Sequence, residues 1–488
     1  MRKSLWLPIP AALAFGASLC GSFHFDDYSL FSNPVLASHA GWWEVWKPFQ
    51  TRPLTWFTFW LSEQFGGRNP VGYHAVNLAL HFAAILLLFD ALSRMLSPRA
   101  ALVATALFAI HPLQAEAVNY IFARSTLLAA VLCLASLDTW VRGHRWIAVM
   151  WFATALAAKE ECAAFPIFLL LLHLVFSRAR RELPPLAAMF VLSIAAGARL
   201  LLATKVTPGS AAGFAAGLSP WSYFAAQGIV ILRYLRLLIV PWGFTVDPAI
   251  SPAAEWLAML AWAAIAALAA IAFLPRWRAR AGFWFLAGLI LLSPTSAIVP
   301  VADLAADRRM YLPMIAFCAC LGLLLEGVDL RVLGAAGVIL IGLSFAQTQV
   351  WRTEASLWTQ AVERAPYKVR PTIQLARAVE PSRALELLQQ ARELEPDNEA
   401  VAAEQGRVYL ETGNLPQALV AFGRALALAP HDPQALNNRG AALLAMGQQD
   451  AARADFERAL TLNVCLDEAR MNLRRAGVET ATPEQCPK

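Results

Sequence analysis

Two adjacent carboxylates, Asp26 and Asp27, follow the first apolar segment of a chain in which only 15% of the residues are charged. A carboxylate at such a position has the chemistry of a general base, which takes the proton of an attacking hydroxyl. Repulsion between adjacent like charges raises one pKa of such a pair, which also suits a base. The alternative interpretation is a hydrated loop that carries two acids.

The element that must position this pair is the apolar run from Leu5 to Gly21, which Arg2 and Lys3 precede. No small-x-small cleavage site follows the run, so the pattern predicts an uncleaved first membrane helix. The two basic residues place its start in the cytoplasm. The acid pair is therefore expected on the far side of the membrane from the N-terminus.

The composition favours a polytopic membrane protein. The 488 residues are 58% hydrophobic, and the mean hydropathy of +0.51 is too high for a soluble globule. The net charge of +6 does not indicate nucleic-acid binding, because the arginines lie in short clusters between apolar runs.

About eleven membrane helices are predicted, several of them shorter than the ~20 residues of a typical span. Ten follow the first, at Val71–Phe89, Ala100–Ala115, Leu127–Val141, Trp146–Ala158, Cys162–Phe176, Leu186–Ala198, Trp256–Leu274, Phe283–Val299, Met310–Leu325 and Val332–Ala346. With a cytoplasmic N-terminus, the inner turns carry the basic residues Arg94, Arg99, Arg142, Arg145, Arg178, Arg180, Arg181, Arg276, Arg278, Arg280 and Arg331. This is the positive-inside pattern.

One further apolar segment, Trp221–Val240, carries Arg233 and Arg236 in its middle. A crossing there would move the next basic cluster, at Arg276 to Arg280, to the outside. We therefore predict an amphipathic helix in the outer interface, with its arginines available to an anionic headgroup. The odd number of crossings then places everything after Gln347 outside.

This topology collects ionisable groups at the outer mouths of the helices, as a membrane-interface active site requires. They are Asp26, Asp27, Arg52, His111, Glu116, Arg124, Lys159, Glu160, Asp247, Asp303, Asp307, Arg308 and Tyr311. The alternative is that each is solvated or paired locally, Lys159 with Glu160 and Asp307 with Arg308.

The C-terminal part repeats with a period of 34 residues, shared by Gly406 and Gly440 and by Phe422 and Phe456. This is the length of the tetratricopeptide repeat, whose stacked helix pairs form a concave binding surface. The predicted fold class is all-α: a membrane domain over 1–350, a repeat domain over 351–478 and a tail over 479–488. Cys465 and Cys486 are the two cysteines of this polar part, and an oxidising compartment would allow a disulfide between them. No Cys-x-x-Cys pair predicts a metal site.

The motifs together resemble the GT-C superfamily of polyprenyl-phosphate-sugar-dependent glycosyltransferases. Within it, the chain is similar to the transmembrane-and-tetratricopeptide O-mannosyltransferase group and its bacterial relatives. The matching pieces are Phe25-Asp26-Asp27-Tyr28 with Asn33-Pro34, Arg52-Pro53-Leu54, Tyr73-His74-x-x-Asn77 with His81, His111-Pro112-x-x-x-Glu116 with Arg124, Lys159-Glu160, and Asp307-Arg308-x-x-Tyr311-Leu312-Pro313. The repeats are few and the first outer loop is short, so sugar and acceptor are left open.

The resemblance implies transfer of a sugar from a polyprenyl phosphate to a hydroxyl of a protein or glycan on the outer face. Asp26 or Asp27 is the expected base, with Asp26 preferred because the first acid of the motif usually has this role. A leaving phosphate needs cations, and we expect Arg308, Arg124 and Lys159, with Arg233 and Arg236 behind them. The supporting residues are Arg52, His111, Glu116, Glu160, Asp307 and Tyr311. A divalent metal is left open, and the repeats are expected to recruit acceptor or partner proteins.

Two other hypotheses stay open at this point. In one, the membrane domain is non-catalytic and anchors a repeat scaffold for assembly of the cell envelope. In the other, the chain is a lipid-linked polysaccharide ligase or polymerase, which shares the donor and differs in the acceptor. In each case the expected location is the inner membrane, with the repeats on the periplasmic or extracytoplasmic side.

Overall fold

The computed structural model of the chain describes residues 6–47, 50–177, 179–206, 219–250, 255–277, 280–296 and 303–479. The described residues form helices and turns without strands, which confirms the predicted all-α fold class. Contacts divide the chain into two compact units, Met1–Thr353 and Glu354–Lys488, and each is described by itself.

Seventeen α-helices belong to the first unit as described. They are α1 Pro8–Phe15, α2 Ser29–Ser32, α3 Pro34–Ala37, α4 Gly41–Glu44, α5 Pro53–Gly66, α6 Pro70–Leu92, α7 Pro98–Ile110, α8 Ala115–Asn119, α9 Arg124–Val141, α10 Arg145–Ala158, α11 Phe165–Leu172, α12 Leu183–Val206, α13 Pro220–Ile239, α14 Glu255–Phe273, α15 Ala281–Leu292, α16 Pro313–Leu324 and α17 Leu330–Val350. Several begin with an Asn or Ser cap followed by proline. Asn69 before α6 and Ser97 before α7 accept hydrogen bonds from first-turn N–H groups, a common start signal.

Seven helical stretches of this unit are long and apolar enough to span a membrane, and the bent pair Pro98–Ile110 with Pro112–Asn119 is an eighth candidate. The shorter apolar helices Pro8–Cys20, Arg145–Ala158, Ala281–Thr295 and Pro313–Leu324 supply four more. Together they cover the eleven predicted segments and also α13. The chain is a multi-pass membrane protein, whereas the in-plane position of α13 stays a prediction.

The bundle has a buried centre and an apolar periphery. The span that contains α9 is 78% buried, whereas only 6% of the span of α17 is buried. Large apolar side chains of α17, such as Val338 and Ile339, are exposed. A polytopic protein presents such side chains to lipid.

The two ends of the bundle carry different chemistry. Helices α7 and α16 are close neighbours: a Cβ on Gly322 would lie 2.5 Å from the carbonyl oxygen of Ala100, while Phe108 contacts Tyr311 at the other end with ring centroids 5.3 Å apart. We call the end that carries Tyr311 and Asp26 the acidic end. The opposite end of the same helices, where Arg94 and Glu326 lie, is the remote end.

The second unit consists of paired helices. They are α18 Glu354–Arg364, α19 Val369–Ala378, α20 Pro381–Leu394, α21 Glu399–Glu411, α22 Leu415–Leu428, α23 Pro433–Ala445, α24 Gln449–Leu462 and α25 Asp467–Arg475. Phe422 of α22 packs on Gly406 of α21, and Phe456 of α24 packs on Gly440 of α23. The 34-residue period of the sequence is thus a repeated helix-pair contact.

Candidate active site

The acid pair lies in a 3-10 turn, Phe25–Tyr28, directly after the first apolar helix. Phe25 has a φ of 47°, one of two positive φ values found at non-glycine residues of the described chain. The other is at Arg52, which precedes α5. Strained backbone of this kind is found preferentially at functional sites. Both residues lie in motifs singled out from the sequence.

The two carboxylates of the pair have opposite environments. Asp27 is fully buried, and its oxygens accept hydrogen bonds from the backbone N–H groups of His24 at 2.9 Å and Phe122 at 2.8 Å. Asp26 is exposed, and its Oδ2 accepts a hydrogen bond of 2.9 Å from the hydroxyl of Tyr120. Asp27 therefore joins two turns, and Asp26 is the acid that a substrate can reach.

Burial raises the pKa of Asp27 to about 8, and the neighbouring charge of Asp26 adds to the rise. The N–H groups of His24 and Phe122 work in the opposite direction and do not cancel it. One pKa of the pair is raised, as the sequence predicts. The main cause is burial, however, and the affected acid is the one that substrate cannot contact.

Tyr120 connects Asp26 to a cation. The guanidinium of Arg308 lies over the Tyr120 ring, 5.6 Å from its centroid, and 24% of the Arg308 side chain is exposed. Burial, followed by the charges of Asp26 and Asp27, raises the pKa of Tyr120 well above its usual range. The phenol therefore stays a donor, and Asp26 keeps an oxygen free to accept a proton.

Arg308 is held by Glu116. Its guanidinium contacts one carboxylate oxygen of Glu116, and its backbone N–H donates to the other at 3.1 Å. A second acid, Asp303, lies 3.6 Å from Arg308. Asp307 pairs instead with Arg233 of α13, with an N–O distance of 2.5 Å. The local pair of Asp307 with Arg308, considered from the sequence, is therefore wrong.

The other local pair considered as an alternative, Lys159 with Glu160, is also wrong. Glu160 accepts hydrogen bonds from Nε and Nη2 of Arg52 at 2.5 to 3.2 Å, while Lys159 pairs with Glu161 at 2.6 Å. Burial lowers the pKa of Lys159, and the positive charge of Arg308 is a smaller influence on the pKa of both Lys159 and Arg52. The exposed fraction of the Arg52 side chain, 30%, leaves it accessible to an anion.

Two predicted phosphate ligands are covered by protein. Arg124 is fully buried and donates to Asn77, Thr58, Ser62 and Tyr73 at 2.9 to 3.2 Å, with its guanidinium over the Phe59 ring. Lys159 is buried against Thr126 and Glu161. These contacts occupy donors of both residues and connect neighbouring helices, and the phosphate role of each stays a prediction.

The two arginines of α13 differ from each other. Arg233 is mostly buried in its pair with Asp307, which removes it from a direct headgroup role. Arg236 is exposed, and its Nη1 donates to the carbonyl oxygen of Trp242 at 3.0 Å. Of the two, only Arg236 keeps the accessibility expected from the sequence.

His111 and Tyr311, two further supporting residues, hold neighbouring segments together through hydrogen bonds. Nδ1 of His111 accepts from the N–H of Leu113, so its Nε2 donates to the carbonyl oxygen of Leu238 at 3.1 Å. The hydroxyl of Tyr311 donates to Nδ1 of His81 at 2.8 Å, since Nε2 of His81 donates to the carbonyl oxygen of Ala109. Both contacts join segments that are distant in sequence.

An apolar cavity of about 270 Å³ opens beside Arg52 and Glu160, between α10 and α12. Its walls include Leu156, Leu192 and Ala196, and Arg199 lies at its margin. A guanidinium at the mouth of an apolar cavity fits an amphiphile with an anionic head.

Sequence reasoning missed Tyr120, Glu161 and Trp351. Trp351 stacks on Tyr120 with ring centroids 5.9 Å apart, and its carbonyl oxygen accepts a 2.8 Å hydrogen bond from Nε2 of His24. The spacing held a signal for Tyr120, which lies four residues after Glu116 and four before Arg124. No local pattern connects Trp351 to the acid pair.

Two further features considered from the sequence are a metal site and a disulfide between Cys465 and Cys486. Within the ranges that the structure describes, no group of three or more His, Cys, Asp or Glu residues is arranged to hold a metal ion. Cys486 lies outside the described residues, so its disulfide with Cys465 stays a prediction.

The fold and the site together define a class: membrane-helix bundles with an acid–arginine cluster at one end, followed by tetratricopeptide repeats. Family models of the TPR repeat match residues 406–447, and of the tetratricopeptide repeat residues 433–463. Several relatives of this chain are named protein O-mannosyl-transferases. This finding confirms the predicted resemblance.

Three of these relatives indicate the extent of the similarity. Protein O-mannosyl-transferase F38B6.6 of Caenorhabditis elegans is 25% identical over 75% of this chain and 58% of its own length. Protein O-mannosyl-transferase TMTC4 of Homo sapiens is 24% identical over 74% of this chain and 61% of its own. TMTC4 of Mus musculus is 33% identical over 25% of this chain and 21% of its own. The chain thus spans about three fifths of the length of the worm and human proteins.

Proposed function

We propose that the chain is an integral-membrane glycosyltransferase that moves a sugar from a polyprenyl-phosphate donor to a hydroxyl acceptor on the outer face of the membrane. The observation that supports the proposal is a chain of contacts. The exposed carboxylate of Asp26 accepts a hydrogen bond from Tyr120, and the guanidinium of Arg308 lies over the ring of that tyrosine. The names of the relatives make mannose and a protein hydroxyl the first candidates for sugar and acceptor.

Asp26 accepts the proton of the acceptor hydroxyl as the hydroxyl oxygen forms a bond to the anomeric carbon. The bond between that carbon and the phosphate oxygen breaks, and the polyprenyl phosphate leaves with one more negative charge than it had in the donor. Arg308, whose guanidinium lies over the Tyr120 ring, and Arg52 are the accessible cations that stabilise this charge. A single base is enough for an inverting transfer.

The apolar cavity beside Arg52 supplies a place for the first isoprene units of the donor. Arg52 stays charged there: burial works to lower its pKa, but the Glu160 carboxylate outweighs burial and raises it. The arginine is thus positioned for the phosphate at the head of the chain. The repeats are then free to recruit the acceptor protein or a partner.

The test is transfer from a radiolabelled polyprenyl-phosphate mannose to an acceptor peptide by purified protein in detergent. Asp26→Asn keeps the shape of the side chain and removes the proton acceptor. We expect turnover to fall by roughly 10²- to 10⁴-fold while donor binding survives. Asp450→Asn, a change of a fully exposed acid in the repeats, is the matched control and should transfer like the parent. Parent-level turnover in Asp26→Asn would remove the proposed base.

A further inference from the structure

A second cavity, of about 680 Å³, lies at the remote end of the bundle. It is enclosed by the turn between α6 and α7, the ends of α9, α11 and α16, and the start of α15. Helix α6 alone is 23 residues long, so about 34 Å separate its two ends. This remote cavity is therefore distinct from the acid–arginine cluster.

The wall of the remote cavity is largely apolar and carries three indoles, Trp140, Trp277 and Trp284. Tryptophan is enriched where a membrane protein meets the headgroup layer. The rim is accessible from the side, because half of Leu324 and half of Phe176 are exposed. Both the volume and the lining suit the head and first chain carbons of a lipid.

Of the three arginines that line the wall, only Arg280 is without a carboxylate partner among the described residues: Arg94 pairs with Asp90 and Asp138, and Arg145 pairs with Glu182. Glu182 is buried and is held by Arg145 at 2.5 Å, by His173 at 2.8 Å and by Ser177 at 2.8 Å. Glu326 accepts a hydrogen bond from Ser97. The guanidinium of Arg280, by contrast, has no acceptor among the described residues, and its side chain is exposed.

Other features of the wall also favour an anion. Nε of Arg145 and Nε1 of Trp277 are buried without an acceptor among the described residues. Helix α15 begins directly after Arg280, with no side-chain cap and no acid in its first turn. The positive end of its dipole therefore adds to the charge of Arg280.

We propose that the remote cavity binds a membrane phospholipid whose headgroup has a net negative charge, with Arg280 as the ligand of its phosphate. A guanidinium matches phosphate oxygens through paired N–H donors. The indoles and Leu324 contact the glycerol and the first carbons of the chains. The site does not depend on the proposed transfer reaction. It lies at the other end of the helices and takes its lipid from the opposite leaflet.

The test uses the full chain in phosphatidylcholine nanodiscs that contain a small fraction of photo-crosslinking phosphatidylglycerol, or of phosphatidylcholine with the same reactive chain. Labelled peptides are identified by mass spectrometry. We expect the phosphatidylglycerol probe to label residues 281–284 and 323–326 more strongly than the phosphatidylcholine probe. Arg280→Gln should reduce that labelling by about fivefold, the weight of one arginine near an anionic lipid surface.

Two variants complete the design. Arg331→Gln changes an exposed arginine five residues after Glu326 that does not line the cavity, and it should label like the parent. Leu324→Trp fills the rim at an exposed position and should exclude the lipid without a change in thermal stability.

Competition identifies the source of the phosphate. Displacement of the probe by unlabelled phosphatidylglycerol or by a polyprenyl phosphate supports the site and ranks the two lipids. Displacement by inorganic phosphate at the same concentration would overturn a lipid site. Equal labelling by the two probes, or labelling unchanged in both Arg280→Gln and Leu324→Trp, would also overturn the proposal.

Discussion

At the scale of single residues, neighbours in the sequence have separate tasks. Asp26 and Asp27 are adjacent, yet one is exposed beside Tyr120 and the other accepts two backbone N–H groups in the interior. The 3-10 turn that contains them, with about three residues per turn, rotates successive side chains by about 120°. The sequence alone could identify the pair as important, but it could not assign the two roles.

Asp27 should make stability depend on pH. Its pKa is about 8 in the fold and 3.8 ordinarily, so folding takes up a proton between these values. The contribution of the neutral acid is complete below about pH 4 and is lost as pH rises through 8. Asp27→Asn has no such proton and leaves one N–H without an acceptor, which costs about 1–3 kcal/mol at low pH. We expect the difference in melting temperature between parent and variant to be largest near pH 5 and to shrink by pH 9.

The measurement is thermal unfolding in detergent at both pH values. Asp450→Asn, which changes a fully exposed acid in the repeats, is the control and should keep the parent's pH dependence. Parallel pH profiles for the parent and Asp27→Asn would contradict the role of burial.

Arg308 should have two separable effects. Arg308→Ala leaves the buried carboxylate of Glu116 unpaired, which costs about 3–5 kcal/mol of stability. It also removes a phosphate contact worth about 1.5–3 kcal/mol of donor binding. The double variant Arg308→Ala/Glu116→Gln should recover much of the melting temperature and none of the donor affinity. Recovery of both together would mean that Arg308 serves only the ion pair.

At the scale of elements, the turns at helix ends determine which side chains are in contact. Glu160 and Glu161 begin the 3-10 turn Glu160–Ala164, and successive residues of such a turn face different partners. Glu160 consequently meets Arg52, 108 positions away in the sequence, and Glu161 meets Lys159. Hydropathy locates the end of a span, but the direction of each side chain there depends on turns that periodicity does not indicate.

The repeat helices offer a prediction with an internal control. A Cβ on Gly440 would lie 2.7 Å from the Phe456 ring, so Gly440→Ala forces this helix pair apart. The expected cost is about 1–3 kcal/mol, larger than the gain of up to ~1 kcal/mol in helix propensity. Gly423→Ala, within α22 and with nothing within 4 Å, should gain that propensity alone. Hydrogen exchange of α23 and α24 in the full chain should speed up in Gly440→Ala and not in Gly423→Ala.

At the scale of the whole molecule, hydropathy located the helices, whereas the sequence did not show which side chains of the site contact one another. Each of the eleven segments predicted from the sequence coincides with an apolar helical stretch among the described residues, because a span must be apolar along its whole length. The site depended on contacts such as Tyr120 with Trp351, 231 positions apart, and Arg308 with Glu116, 192 positions apart. Such contacts follow from how the helices pack, which their composition does not specify.

The number of crossings determines the side on which the repeats lie, and α13 is the element that decides it. Tyr223 of α13 donates to the carbonyl oxygen of Thr295, Gln227 to that of Leu304 and Tyr234 to that of Ala306. Further along, the carbonyl oxygen of Leu238 accepts from His111. These partners all belong to turns at the acidic end. Together they contact α13 along 15 residues, or about 22 Å of its length. A helix that crossed the bundle would leave that end, so we expect α13 to lie in the plane of the outer interface.

Reporter fusions after Ser219, Trp242, Arg280 and Gln347 test this expectation. An in-plane α13 predicts outside, outside, inside and outside, whereas a crossing α13 predicts outside, inside, outside and inside. An alkaline phosphatase and a fluorescent protein, active on opposite sides, serve as mutual controls at each position. Three of the four positions distinguish the two topologies, so one failed fusion does not decide the result. A cytoplasmic signal after both Trp242 and Gln347 would place the repeats on the same side as the N-terminus, away from the site that they are proposed to serve.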